Sequence, residues 1–271
     1  NPWGMKHFRR VNEHNVDLNR NYVIDRESVP YNVNREYELM RHLFVPDGVI
    51  DDYHEAREQI YSFLGSGIKL DGFKAMSGAK GMGQYQFPKG VYYGGEEDEP
   101  SAIFLKGIQH DLLERYGKVV HLDWHTALGP TNEVTMVISK RDGRTEDELK
   151  QAYGLDNVNV YDPDEVLGDS TNHFYYVRDT EYPDKGLVSA LFEFGTFGTS
   201  TKASIREFLT IILENRLYFE GTKDPEARNG IQNEFMAMFY PENADWREAV
   251  LREGAKAVEG YLKGEALWRD T

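Results

Sequence analysis

Apolar residues recur at helical spacing from residue 34 to 65 in two pieces, NREYELMRHLF and IDDYHEAREQIYSFLG; Pro46, Asp47 and Gly48 between them break and restart the helix. Residues 72–100 then lose period of either kind. The stretch GFKAMSGAKGMGQYQFPKGVYYGG is rich in glycine and aromatics and is expected to be one long, ordered loop. Helical spacing returns in SAIFLKGIQHDLLERYG through Phe104, Ile108 and Leu112, and KVVHLDWH follows directly as a short β-branched run, expected as a buried strand. VTMVISK predicts a second strand and LVSALFEF a third. TEDELKQAY opens with Thr145 and Glu148 at capping-box spacing, which predicts a helix. TKASIREFLTIILENRLYF predicts a long amphipathic helix, and two more helices are expected around residues 230–240 and 244–263.

Helices alternating with short apolar strands predict an α/β fold: a mostly parallel, mixed central sheet flanked by helices on both faces. Ligands of such sheets bind at the carboxyl ends of strands. Two predicted strand ends carry reactive side chains, His125 in HLDWHTALGP and Glu193 in LFEFGTFG.

Composition narrows the function classes. The chain has 271 residues, of which 40% are hydrophobic, enough to bury a full core. Its longest apolar runs, such as Phe208 to Leu213, fall far short of the roughly 20 residues that span a membrane. A formal charge of −15, from 46 acids against 31 bases, argues against a nucleic-acid partner, because phosphate binding needs a cationic face. Zero cysteines exclude disulfides and thiolate chemistry and fit a reducing compartment, so the cytoplasm is the expected location. The chain opens on Asn1 rather than methionine, and sequence upstream of it is expected.

Local cations in so acidic a chain need a local reason. NPWGMKHFRRVNEHNVDLNRNY sets three arginines among five asparagines. Arginine forks grip carboxylates in bidentate fashion and amides add donors to the same anion, so Asn19 and Arg20 read as an anion clamp and Arg10 as a group able to stabilise an oxyanion. His125 follows Asp123 by two positions, and His121 alternates onto the same strand face. His125 is read either as a metal ligand whose tautomer a neighbouring carboxylate fixes, or as an imidazole satisfied by a loop carbonyl. Glu193 lies in an otherwise apolar run, where a carboxylate is either a member of a buried ion pair or a base with a raised pKa.

The order NPWG, VDLNRN, strand-end DWH and FEFG resembles the zinc metallocarboxypeptidase (carboxypeptidase A-like) superfamily; GQYQFPKGVYYGG and DWHTALGP are similar to a bacterial branch of it. The resemblance covers roughly residues 1–200. It implies a carboxypeptidase-like fold for one domain over residues 1–271 whose N-terminal portion lies upstream. Carried over by position, His125 matches the third zinc ligand, with Asp123 behind it, and Glu193 matches the glutamate that activates the metal-bound water. Asn19 and Arg20 match the pair that holds the substrate's terminal carboxylate, and Arg10 the oxyanion arginine, with Arg9 adjacent to it. For the substrate-capping tyrosine, Tyr175, Tyr176 and Tyr182 all qualify.

One departure stands against this pattern. The family's first two zinc ligands sit in a His-x-x-Glu motif ahead of the NP-G stretch, and this chain contains no His-x-x-Glu. His54 with Glu58 and His110 with Glu114 have i, i+4 spacing and read as exposed helix pairs. The resemblance therefore implies one zinc ion whose other two ligands lie upstream of Asn1. The expected activity is hydrolysis of an amide or peptide bond next to a free carboxylate, in a peptide or an acylated amino acid, with residues 72–100 covering the cleft. An acylamino-acid deacylase with the same site and a metal-free peptide-binding relative are the competing expectations.

Overall fold

The computed structural model describes residues 1–29, 32–66 and 70–268. The chain begins with α1 (Pro2–His7), capped by the Asn1 side chain, which accepts from the Gly4 N–H. A short 3₁₀ turn, Leu18–Arg20, follows. The predicted helices of residues 34–65 are α2 (Arg35–Leu39), α3 (Arg41–Phe44) and α4 (Tyr53–Ser66). Next comes α5 (Leu70–Met82), where a loop was expected. Its glycines are compatible with a helix because Met76 and Ala79 are wholly buried, and a Cβ at Gly81 would stand 2.8 Å from the Glu165 carbonyl, so glycine permits a close approach there. The rest of the expected loop, residues 83–99, is irregular.

The chain continues through α6 (Pro100–Arg115), β1 (Lys118–Ala127), β2 (Val134–Ser139), α7 (Glu146–Tyr153), β3 (Asn157–Tyr161), α8 (Ser170–Glu181), β4 (Gly186–Gly195), α9 (Thr201–Glu220), α10 (Pro225–Phe239) and α11 (Ala244–Gly264). The capping box at α7 is present: Thr145 accepts from the Glu148 N–H, and Glu148 returns the bond to the Thr145 N–H at 2.8 Å. α10 starts at Pro225, five residues ahead of the expected start, because Asp224 caps it and proline suits a first turn.

The four strands form one mixed sheet in the order β1-β4-β2-β3. β1 runs parallel to β4 and β2 parallel to β3, while β2 and β4 are antiparallel. Side chains alternate across the sheet. His121, Asp123 and His125 share one face with their register partners Ser189, Leu191 and Glu193, and α8 packs on this face, its Phe174 ring 5.7 Å from that of His121. Trp124, Phe192 and Phe194 point to the other face, where Tyr261 of α11 lies 5.4 Å from Phe192. A second apolar cluster, built from α2 to α5, α9 and α10, adjoins the carboxyl end of β1 at Ala127. Among the described residues no helix is long and apolar enough to cross a membrane.

Candidate active site

The register of the parallel pair β1·β4 sets His125 directly opposite Glu193 at the carboxyl ends of both strands. His125 Nδ1 stands 3.6 Å from Glu193 Oε1, and its Nε2 lies 3.2 Å from Asp123 Oδ2. Ser170, the first residue of α8, donates its hydroxyl to the same Asp123 oxygen at 3.3 Å. Burial disfavours the imidazolium, but the hydrogen bond and charge of Asp123, reinforced by Glu193, carry the His125 pKa above its ordinary value. Burial would raise Asp123; His125, His121 and Ser170 hold it below the usual carboxylate range. Glu193 goes the other way. Its burial pushes the pKa up, and His125, Lys80 and Arg10 offset this only in part. Its Oε2 is buried with no hydrogen-bond partner among the described residues, an acceptor that a water or a substrate would satisfy.

The N-terminal segment approaches from the side, and it separates the two adjacent arginines. Arg9 turns into the protein, where its Nε bonds Glu214 at 2.8 Å, its Nη2 bonds Asn215 at 2.9 Å, and the guanidinium stacks 3.8 Å from the Tyr218 ring. Arg10 turns the other way and pairs with Asp17 at 2.9 Å. Burial works against its charge, yet Asp17, with Tyr92, Glu193 and Glu207 in range, lifts its pKa above the ordinary arginine value. Asp17 responds in kind: Arg10, Arg20 and the Asn19 N–H outweigh its burial and lower its pKa. Asn19 Oδ1 accepts from the Ser170 N–H at 3.3 Å, which joins the segment to Asp123 through Ser170.

Arg20 is placed differently from the expected clamp. It is 6% exposed, its Nε and Nη2 donate to the Lys80 carbonyl at 3.1 and 2.9 Å, and its Nη1 donates to the Asn19 carbonyl at 2.6 Å. Glycines close around it. A Cβ at Gly83 would lie 2.8 Å from Arg20 Cδ, one at Gly94 2.7 Å from its carbonyl oxygen, and one at Gly168 2.3 Å from that same oxygen. The neighbouring amides are also structural: Asn15 donates to the Pro88 and Gly90 carbonyls, and Asn21 to those of Gly94 and Glu97. Residues 83–97 therefore wrap the VDLNRN segment.

Sequence reasoning passed over Lys80, Glu207 and Tyr92. The ammonium of Lys80, near the end of α5, pairs with Glu207 of α9. Tyr92 is 2% exposed, has the left-handed φ of 56°, and its hydroxyl has no partner among the described residues; burial and then Glu207 raise its pKa. Glu207 carried one readable signal, a carboxylate directly ahead of the buried run Phe208 to Leu213. The three capping-tyrosine candidates make other contacts. Tyr175 donates to Asp142 at 2.9 Å and accepts from the Ser189 N–H, the Tyr176 ring lies 5.9 Å from the Arg141 guanidinium, and Tyr182 packs at the His110 ring.

A family model described as "Protein of unknown function (DUF2817)" matches residues 1–253. The chain belongs to this family. No curated protein and no solved structure matches it. In this DUF2817 protein the fit to a zinc ion is partial. His125 supplies one imidazole with carboxylates on both sides, and among the described residues there is no group of three His, Cys, Asp or Glu arranged to hold a metal. Catalytic zinc ordinarily takes three protein ligands. Two cavities lie apart from the His125–Glu193 pair. One of about 390 Å³ is lined by Asn132, Asp156, Arg252 and Lys256, whose charges pair locally, Lys256 with Asp156 at 2.8 Å. The other, of about 280 Å³, is lined by Tyr22, Val23, Met82 and Leu167 with Arg141 and Asp169.

Proposed function

We propose that this protein is a hydrolase that cleaves an amide or peptide bond next to a free carboxylate. The observation that carries this reading is the pairing of His125 with Glu193 across the carboxyl ends of two adjacent parallel strands, with an unpartnered Glu193 oxygen beside it. A carboxylate whose pKa is raised by burial is suited to take a proton from water and return it to a leaving amine. Arg10, fixed by Asp17 and within electrostatic range of Glu193, is suited to stabilise the oxyanion of the tetrahedral intermediate. Asp123 orients His125, and Ser170 and Asn19 in turn orient Asp123.

The zinc ion implied by the resemblance belongs in this proposal with His125 as its ligand from residues 1–271 and the others from outside the described residues. When bound, it would supply a Lewis acid. The lack of cysteine supports a reducing compartment, and we place the protein in the cytoplasm.

The test uses N-acylated dipeptides and N-acylated amino acids, which separate peptidase from deacylase activity. Glu193→Gln is expected to lower kcat by about 10²- to 10⁴-fold, the range of general-base catalysis, with KM little changed. Turnover that survives this replacement would remove Glu193 from the chemistry. Metal analysis of the full-length protein is expected to find zinc that is lost in His125→Ala.

A further inference from the structure

Because β2 is antiparallel to β4, strand carboxyl ends lie at both ends of the sheet. Those of the parallel pair β2·β3 point away from Glu193. Each of these two strands passes into a 3₁₀ turn, Lys140–Asp142 after β2 and Pro163–Glu165 after β3, and the turns supply Arg141 and Pro163 to the cavity of about 280 Å³. Open α/β sheets take their ligands outside such strand ends. Residues 22–25, Met82 at the end of α5 and the start of α8 complete the wall.

The cavity carries both signs of charge. Asp169 is 2% exposed and accepts from the Tyr161 hydroxyl, the Thr171 hydroxyl and the Asn172 N–H at 2.9, 2.6 and 2.8 Å, and all three bonds end on Oδ1. Among the described residues Oδ2 accepts none, so a buried carboxylate offers one oxygen to whatever fills the cavity. Arg141 reaches the same turn of α8. Its Nε donates to Asn172 Oδ1 at 3.1 Å and its Nη1 to Asp179 at 3.2 Å, while Nη2 donates to no group among the described residues. Asp179 is shared with Arg178, whose Nε reaches it at 2.5 Å, so two guanidinium groups divide one carboxylate and this trio keeps a surplus positive charge. Asp25 and Asp164, both exposed, add negative charge to the lining.

Much of the remaining lining is aliphatic, with Val23 buried and Met82, Val166 and Leu167 half-buried. One water's share of the liquid is about 30 Å³, so the cavity holds on the order of ten non-hydrogen atoms, the size of a single amino acid rather than a peptide.

We propose that this cavity binds a free α-amino acid with an aliphatic side chain: Asp169 receives the ammonium, Arg141 the carboxylate, and Val23, Met82 and Leu167 the side chain. The assignment does not rest on the hydrolase reading, since neither His125 nor Glu193 lines the cavity.

Calorimetric titration of the full-length protein with L-leucine, leucinamide, 4-methylpentanoate and glycine separates the three contacts. Leucine is expected to bind most tightly. Leucinamide lacks the carboxylate and 4-methylpentanoate the ammonium, and each should bind about tenfold to a hundredfold more weakly, the value of one hydrogen bond to a charged group. Glycine should lose a similar factor, about that of burying a leucine side chain. Arg141→Gln should weaken leucine to the level of leucinamide without weakening leucinamide. Asp169→Asn keeps an Oδ1 acceptor for its three donors, and it should bring leucine to the level of 4-methylpentanoate without weakening that acid. Leu167→Trp fills the cavity and replaces neither charge; it should abolish leucine binding, and it carries the test where Asp169→Asn does not fold. Each variant is first matched to wild type by far-ultraviolet dichroism. Absent leucine binding by wild type, or equal binding of leucine and leucinamide, would overturn the assignment. So would a leucine affinity unchanged in both Arg141→Gln and Leu167→Trp, which would place the amino acid elsewhere on the protein.

Discussion

Arg20→Met isolates the hydrogen bonds that the buried guanidinium makes to main-chain carbonyls. The replacement keeps a long apolar stem between Gly83 and Gly168 but removes three donors, leaving the Lys80 and Asn19 carbonyls without them. Each buried acceptor left unsatisfied costs about 1–3 kcal/mol, which places the loss at about 2–6 kcal/mol. Two effects trim the upper end. The variant no longer has to bury a guanidinium, and the Asn19 carbonyl belongs to a half-buried residue that water can reach. The expected loss is about 3 kcal/mol, read as a shift of the urea midpoint at neutral pH with tryptophan fluorescence and far-ultraviolet dichroism followed together. Arg20→Lys should lie between, because one ammonium cannot bridge both carbonyls in the same geometry. A loss below about 0.5 kcal/mol, the level of an ordinary surface substitution, would refute the argument and return the Arg20 guanidinium to the pool of groups free to bind substrate.

Other parts of the fold make separate predictions. His173 is buried against Gln109, and burial, with Lys106 and His110 nearby, lowers its pKa to about 4 against 6.5 in the unfolded chain. The native state then binds fewer protons at His173 than the unfolded state between these values, so this contribution to stability is complete above pH 6.5 and falls as the pH drops toward 4, by about 2 kcal/mol between pH 7 and pH 5. Urea titrations at both pH values should show the difference smaller by about that amount in His173→Gln, and an unchanged difference would refute the assignment. Gly168→Ala adds a Cβ 2.3 Å from the Arg20 oxygen at a φ of +72° and should cost about 2–4 kcal/mol, whereas Gly143→Ala, at +89° with nothing within 4 Å, should cost about 1 kcal/mol from backbone strain alone. Equal losses in the two variants, measured by the same unfolding assay, would remove the steric argument.

The elements that the sequence hid were those whose local pattern runs against their tertiary role. β4 is legible because it is an apolar run buried along nearly its whole length, β2 alternates buried and half-buried positions, and β1, expected as a buried strand, is a mostly half-buried edge strand that still shows its apolar residues Val119, Val120 and Leu122. β3 is five residues long and alternates Asn157 and Asn159 with its valines, and asparagine is depleted in strands; parallel pairing with β2 decides its conformation. α8 buries Ser170, Thr171, Asn172 and His173 beside Phe174, Tyr175 and Val177, so its hidden residues run consecutively and are partly polar, which gives little hydrophobic period. That polarity has local causes: Asp169 accepts from Thr171 and Asn172, and Gln109 bonds His173. α5 was obscured by glycine, which lowers helix propensity by about 1 kcal/mol per residue. At Gly81 the close approach of residue 165 gives that glycine a packing role no local pattern reveals.

The site divides along the same line. His125 and Glu193 were readable as strand-end residues, but their adjacency depends on β4 inserting between β1 and β2, a matter of strand order that spacing does not encode. The clustered cations of the first twenty residues were readable as unusual, and the structure divides them among three tasks. Arg9 stacks on Tyr218 and binds Glu214, Arg20 binds main-chain carbonyls, and Arg10 remains near Glu193. Lys80 gave no local signal because its pairing with Glu207 depends on α5 forming, with Arg20 bonded to its main-chain oxygen. Both cations near Glu193 carry an internal carboxylate partner, Asp17 for Arg10 and Glu207 for Lys80. An incoming anion must therefore compete with one of them. In the first pair the cation is the more exposed member, at 26% against 4%, and in the second the two side chains are 17% and 12% exposed, so both pairs are mostly buried and an anion would have to displace a carboxylate at either.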